Sequence, residues 1–97
     1  MANKNDDSNL DFLYDLILHI ETKAECAAFL DDLCTGTELS TLAQRAVVAK
    51  MLKQNKVYSE IVSKTGASTA TVSRVKRSLS SGTNGYETLF KKMDGDA

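Results

Sequence analysis

The sequence predicts an all-α domain built around a helix-turn-helix, and three observations carry that prediction. Its 97 residues include no proline, and apolar residues recur at helical spacing without the alternating run that a half-buried strand needs. A hydroxyl residue stands three positions before an acidic one at Ser8–Asp11, Thr22–Glu25 and Thr35–Glu38, the pairing in which side chains satisfy the free backbone N–H groups of a helix start. The stretch YSEIVSKTGASTATVSRVKRSL, residues 58–79, reads as two short helices meeting at Thr65-Gly66-Ala67.

Residues 1–7 are polar and charged with no apolar anchor, so they are expected to form a mobile N-terminal arm, with residues 8–97 as one domain. A helix is then expected from Ser8 to about Glu21. Its apolar set, Leu10, Phe12, Leu13, Tyr14, Leu16, Ile17, Leu18 and Ile20, covers most of the circumference, and a helix apolar nearly all round has to be buried nearly all round. In so small a chain that requires a second subunit, so an obligate homodimer is expected. His19 reads as a packed or surface histidine.

The Thr22–Glu25 pair opens a second helix through Ala24, Ala27, Phe29, Leu30 and Leu33, with Gly36 near its end. Cys26 and Cys34 lie eight positions apart on that helix, about 12 Å along its axis and too far for a mutual disulfide. They read as reduced core residues. The Thr35–Glu38 pair opens a longer helix to about Asn55, with a stripe of Leu39, Leu42, Ala43, Ala46, Val47 and Leu52. After the central stretch, SSGTNG (80–85) reads as a turn. Tyr86–Met93 reads as a short helix with Tyr86, Leu89, Phe90 and Met93 on one face, too short to stand alone and so expected to dock.

Within residues 58–79, Ile61 and Val62 are expected to face inward, and Gly66 to end the first helix because glycine tolerates the left-handed conformation. Ser68 is the expected N-cap of the second helix. At about 100 degrees per residue, Val72, Val75 and Leu79 form its core face, while Ala70, Ser73, Arg74 and Arg77 point outward. Small residues near the start let a helix approach base edges closely. Arginines further along can hydrogen-bond guanine bidentately or hold phosphates. Ser68, Thr69, Ala70, Ser73, Arg74, Lys76 and Arg77 are the candidate DNA-binding residues. Lys50, Lys53, Lys56 and Lys64 are candidate contacts to the DNA backbone. The plainer alternative is a helical hairpin with a solvated basic face.

The net charge is −1, but it is unevenly placed. Met1–Gln44 carries two lysines against nine acids, net −7, whereas Arg45–Ser81 carries eight basic groups against Glu60 alone, net +7. The remainder holds two lysines against three acids, net −1. Such segregation points to a polyanion partner for the basic segment. One histidine and two cysteines, without a CxxC or His-Cys cluster, give a metal site little basis. No catalytic triad, paired-carboxylate motif or phosphate loop is present, so no enzyme is expected. No apolar run of membrane-spanning length and no signal peptide is seen, which implies a cytoplasmic protein without a membrane partner.

LCTGTE, LAQR and KTGASTATVSRVKRSL, in that order and spacing and followed by a short helix, resemble the Trp repressor family, specifically its YerC/YecD branch. The resemblance spans roughly residues 33–93 and implies an intertwined, all-helical, TrpR-like homodimer that places two reading heads on double-stranded DNA. Helix-turn-helix dimers, Trp repressor among them, space their half-sites about 34 Å apart. The family pattern puts Thr69, Ala70 and Ser73 at base edges. It puts Thr35, Arg45, Arg74 and Ser78 around the tryptophan pocket, where two arginines bracket the indole. The sequence departs from that pattern at Val75, which stands where tryptophan-binding members have glycine and fills the space of the ring. No cofactor is therefore expected, and tryptophan is disfavoured as corepressor. The leading expectation is a sequence-specific transcriptional regulator that does not depend on tryptophan. The alternatives are a sensor holding an amino acid or metabolite between Arg45 and Arg74, and a protein-interaction module that does not bind DNA.

Overall fold

The structure, a computed structural model, describes residues 4–95. Its elements are α1 (Lys4–Leu18), α2 (Lys23–Leu33), α3 (Gly36–Lys53), α4 (Tyr58–Thr65), α5 (Thr69–Ser81) and α6 (Gly85–Met93). The all-α expectation holds. The chain divides into two compact units, one ending at Leu39 and the other beginning at Ser40.

In the first unit, α1 begins at Lys4, so Ser8 lies inside the helix and does not cap it. Of the expected arm, Lys4–Asp7 is helical, and residues 1–3 lie outside the described residues. The helix ends at Leu18, before the expected Glu21, in tight turns in which the N–H groups of His19 and Ile20 donate to the carbonyls of Leu16 and Ile17. His19 Nδ1 lies 2.7 Å from the Asp15 carbonyl, a local contact that ties the ring to its own helix end. Within the single chain, the apolar face of α1 is open: Phe12 is 64% exposed and Leu18 80%.

The two other helix starts form as expected. The Glu25 N–H donates to the Thr22 hydroxyl at 3.0 Å, and the Glu25 carboxylate accepts from the Glu21 N–H at 2.9 Å. At α3, the Glu38 N–H donates to the Thr35 hydroxyl at 3.1 Å and the Thr35 N–H to the Glu38 carboxylate at 2.8 Å, a reciprocal box. Gly36 is thus the first residue of α3, not the end of α2. Cys26 lies on α2 and Cys34 caps its end; both are free and half-buried, outside the core.

The second unit holds the core: Val48, Ala49, Met51, Ile61, Ala67, Val72 and Val75, with Leu52, Tyr58, Val62, Leu79, Tyr86 and Phe90 packed against it. Ile61, Val48 and Val72 are fully buried, each contributing about 1.5–3 kcal/mol by leaving water. The face that α3 turns to this core differs from the expected stripe. Val48, Ala49 and Met51 are buried, while Leu42 and Val47 are exposed. α3 is apolar on more than one side, and the position of α4 and α5 decides which side packs. Asn55, at φ 62°, closes the end of α3, and asparagine is among the few residues besides glycine that enter the left-handed region readily. α6 docks through Tyr86 and Phe90, whose ring centroids are 5.8 Å apart. Leu89 and Met93, expected on the same face, stay exposed. Glu87 pairs with Lys53 of α3, and that hydrogen bond and charge hold its carboxyl below the usual glutamate range.

Candidate nucleic-acid interface

The helix-turn-helix forms where its sequence places it. The narrow apolar side of α4 meets the core through Ile61 and Val62. Gly66 at φ 74° caps the helix in the left-handed conformation, its N–H donating to the Val62 carbonyl. A side chain at this φ would strain the backbone, which is why glycine stands there. The Thr65 hydroxyl donates to the Ile61 carbonyl at 2.7 Å and accepts from the Ala67 N–H at 3.1 Å. Ala67, 2% exposed, pins the turn to the core.

Ser68 caps α5: its hydroxyl accepts from the Thr71 N–H at 3.1 Å and donates to the Thr71 hydroxyl at 3.1 Å. Val72 and Val75 are buried and Leu79 packs beside them, as the helical wheel requires. The opposite side carries Ala70, Ser73, Arg74 and Arg77, and these, like Thr69 at the helix start, are all exposed. Neither arginine is in an ion pair among the described residues, where the pairs are Lys53–Glu87 and Lys64–Glu60. Lys76 is exposed too, but its Nζ lies 5.7 Å from the centre of the Tyr58 ring on α4, so this cation leans on the neighbouring helix. A free guanidinium pair behind small hydroxyl and methyl groups offers two kinds of contact: close approach at the helix start and cationic hydrogen bonding further along.

The candidate ligand residues are placed differently. Arg74 and Ser78 lie one turn apart on α5 and are exposed, and Arg45 on α3 is half-buried. The Thr35 hydroxyl is taken up in the cap of α3. Three hollows on the second unit are lined by other residues. Val75, at 3% exposure, is part of the core.

One residue of this region goes unassigned by sequence reasoning. Gln44 on α3, inside the LAQR motif, donates from Nε2 to the Thr65 carbonyl at 3.1 Å. Its amide side chain was the only signal the sequence offered, and it identifies no partner 21 residues away.

A short helix, a glycine turn and a second helix with an apolar inner and a basic outer face, packed on a longer helix, define a helix-turn-helix domain. Residues 8–94 match the family model described as Trp repressor protein. The chain is 51% identical over 84 residues to the uncharacterized protein YerC of Bacillus subtilis (strain 168), covering 87% of this chain and 81% of that one. Its fold matches the crystal structure of a candidate Trp repressor from Staphylococcus aureus with a TM-score of 0.86 at 49% identity, covering 90% of this chain and 87% of that one. It matches a TrpR-like protein from Eubacterium eligens with a TM-score of 0.87 at 42% identity, covering 90% of each chain. The chain belongs to the Trp repressor family, a family of regulators and not of enzymes.

Proposed function

We propose that this protein is a sequence-specific, DNA-binding transcriptional regulator that acts as a homodimer in the cytoplasm and does not require tryptophan. The observation that carries the reading is the division of α5, with Val72 and Val75 buried on one side, Ala70, Ser73, Arg74 and Arg77 exposed on the other, and Thr69 exposed at its start. The net charge of +7 over residues 45–81, eight basic groups against one acid, supplies attraction for a polyanion. Thr69, Ala70 and Ser73 read base edges, Arg74 and Arg77 hold guanine or phosphate, Lys76 adds charge, and Ser68 sets the helix start. Family membership supports the same roles. The open apolar face of α1 is covered by the second copy, which sets the two α5 helices in successive major grooves about 34 Å apart.

Val75 supports independence from tryptophan, because its side chain is committed to the core. Arg45 and Arg74 are then free to hold phosphates. The test is selection of bound genomic fragments with and without tryptophan, followed by a salt titration on the preferred one. A common fragment set in both conditions is expected, with log affinity falling by about 0.9 per log salt for each phosphate neutralised. A flat salt response or no preferred fragment would contradict DNA reading. Heat on titrating tryptophan would contradict independence from it. The chain contains no tryptophan, so emission from a bound one would be visible without background.

A further inference from the structure

Among the described residues, two side-chain bonds join elements distant in sequence: the exposed Lys53–Glu87 pair and the hydrogen bond from Gln44 Nε2 to the Thr65 carbonyl; the others span four residues or fewer. The Gln44 bond lands on the last carbonyl of α4, a group that the helix itself leaves without a partner. Thr65 already organises the turn from within, through its bonds to Ile61 and Ala67. Gln44 holds the same residue from outside, from a helix that carries core residues Val48, Ala49 and Met51. The bond is part-buried, so water competes with it only weakly. The side chain also lies against Gly66, 4.0 Å from where a β-carbon on that residue would stand.

We propose that Gln44 is a positioning residue for base reading, fixing through the Thr65 carbonyl the angle at which α5 leaves the turn. This rests on the DNA-reading function proposed above. α5 begins four residues after Thr65 and runs for 13 residues, about 20 Å at 1.5 Å per residue. A tilt of about 5 degrees at the turn therefore moves Ser73, about 6 Å along the helix, by about 0.5 Å and the far end by about 1.7 Å. Hydrogen bonds to base edges tolerate only a few tenths of an ångström. Long arginine side chains on phosphates follow such a shift easily. Loss of the clamp therefore removes discrimination between sequences and leaves the electrostatic part of binding in place.

The test uses the full chain with Gln44→Glu, nearly isosteric but acceptor-only when ionised, and Gln44→Met, which removes the donor without adding charge. Amide exchange at Gly66 and Ala67 should speed up about two- to tenfold, the worth of one such bond. The affinity ratio of the selected fragment to scrambled DNA should fall about tenfold, the worth of one base contact. Gln44→Met should keep the wild-type salt slope and affinity for scrambled DNA. If Gln44→Glu fails to fold, Gln44→Met alone decides. Unchanged exchange in the variants, or a parallel loss of both DNA affinities with Gln44→Met, overturns the proposal. A wild-type protein that prefers no fragment overturns the DNA reading and with it the role of Gln44 there. The exchange rates then separately report whether Gln44 holds the turn.

Discussion

Arg77 and Val75 are two residues apart on α5 and face opposite ways, one exposed and the other 3% exposed. That opposition is read directly from helical periodicity, because two steps of about 100 degrees place them on opposite sides. Arg77 is a DNA contact on the proposed function. Arg77→Ala should weaken binding to the selected fragment, and if the guanidinium holds a phosphate the salt slope should fall by about 0.9, as measured by titration at several salt concentrations. Thermal stability should be unchanged, since an exposed residue without an ion pair contributes little to the fold. Gln44 is the counter-example at this scale. Nothing in its neighbours in the chain says that its amide will meet the Thr65 carbonyl, because only folding brings α3 beside the turn.

Among the elements, the turn between α4 and α5 was the most legible and α3 the least. Gly66 and Ser68 act through backbone conformation and local hydrogen bonds, which depend on residues within one turn. Gly66→Ala should therefore lower stability by about 1–2 kcal/mol through left-handed strain, measured by denaturant unfolding. Space is not the cause, since the nearest group to a new β-carbon is 4.0 Å away. The face of α3 was misplaced because its apolar residues surround much of the helix, and Val48, Ala49 and Met51 are selected by what packs on them. α6 is held partly by the Glu87–Lys53 pair. Lys53, by hydrogen bond and then by charge, depresses the Glu87 pKa, so the pair's contribution is present above the ordinary glutamate range and is lost as pH falls through the depressed folded value. Glu87→Gln should unfold at a slightly lower temperature than wild type at neutral pH. That gap should close on acidification, with the effect kept small by exposure to solvent.

Over the whole molecule, the segregation of charge and the open apolar face of α1 answer to different partners. Phe12 at 64% and Leu18 at 80% exposure leave apolar surface that a second copy would cover. The wild-type protein is expected to run at twice the chain mass by light scattering, independent of salt because apolar burial drives the association. Phe12→Asp should shift it toward the single-chain mass. DNA affinity, in contrast, should depend steeply on salt. The sequence by itself determined the helical class, the helix starts at Thr22 and Thr35, the glycine turn, both faces of α5 and the charge asymmetry. All of these follow from periodicity, capping or composition over short stretches. Only the tertiary structure decided which face of α3 enters the core, that Leu89 and Met93 stay outside it, and that Gln44 reaches the Thr65 carbonyl. Each of these depends on which elements lie side by side, and contacts between residues far apart in the chain have no local signal.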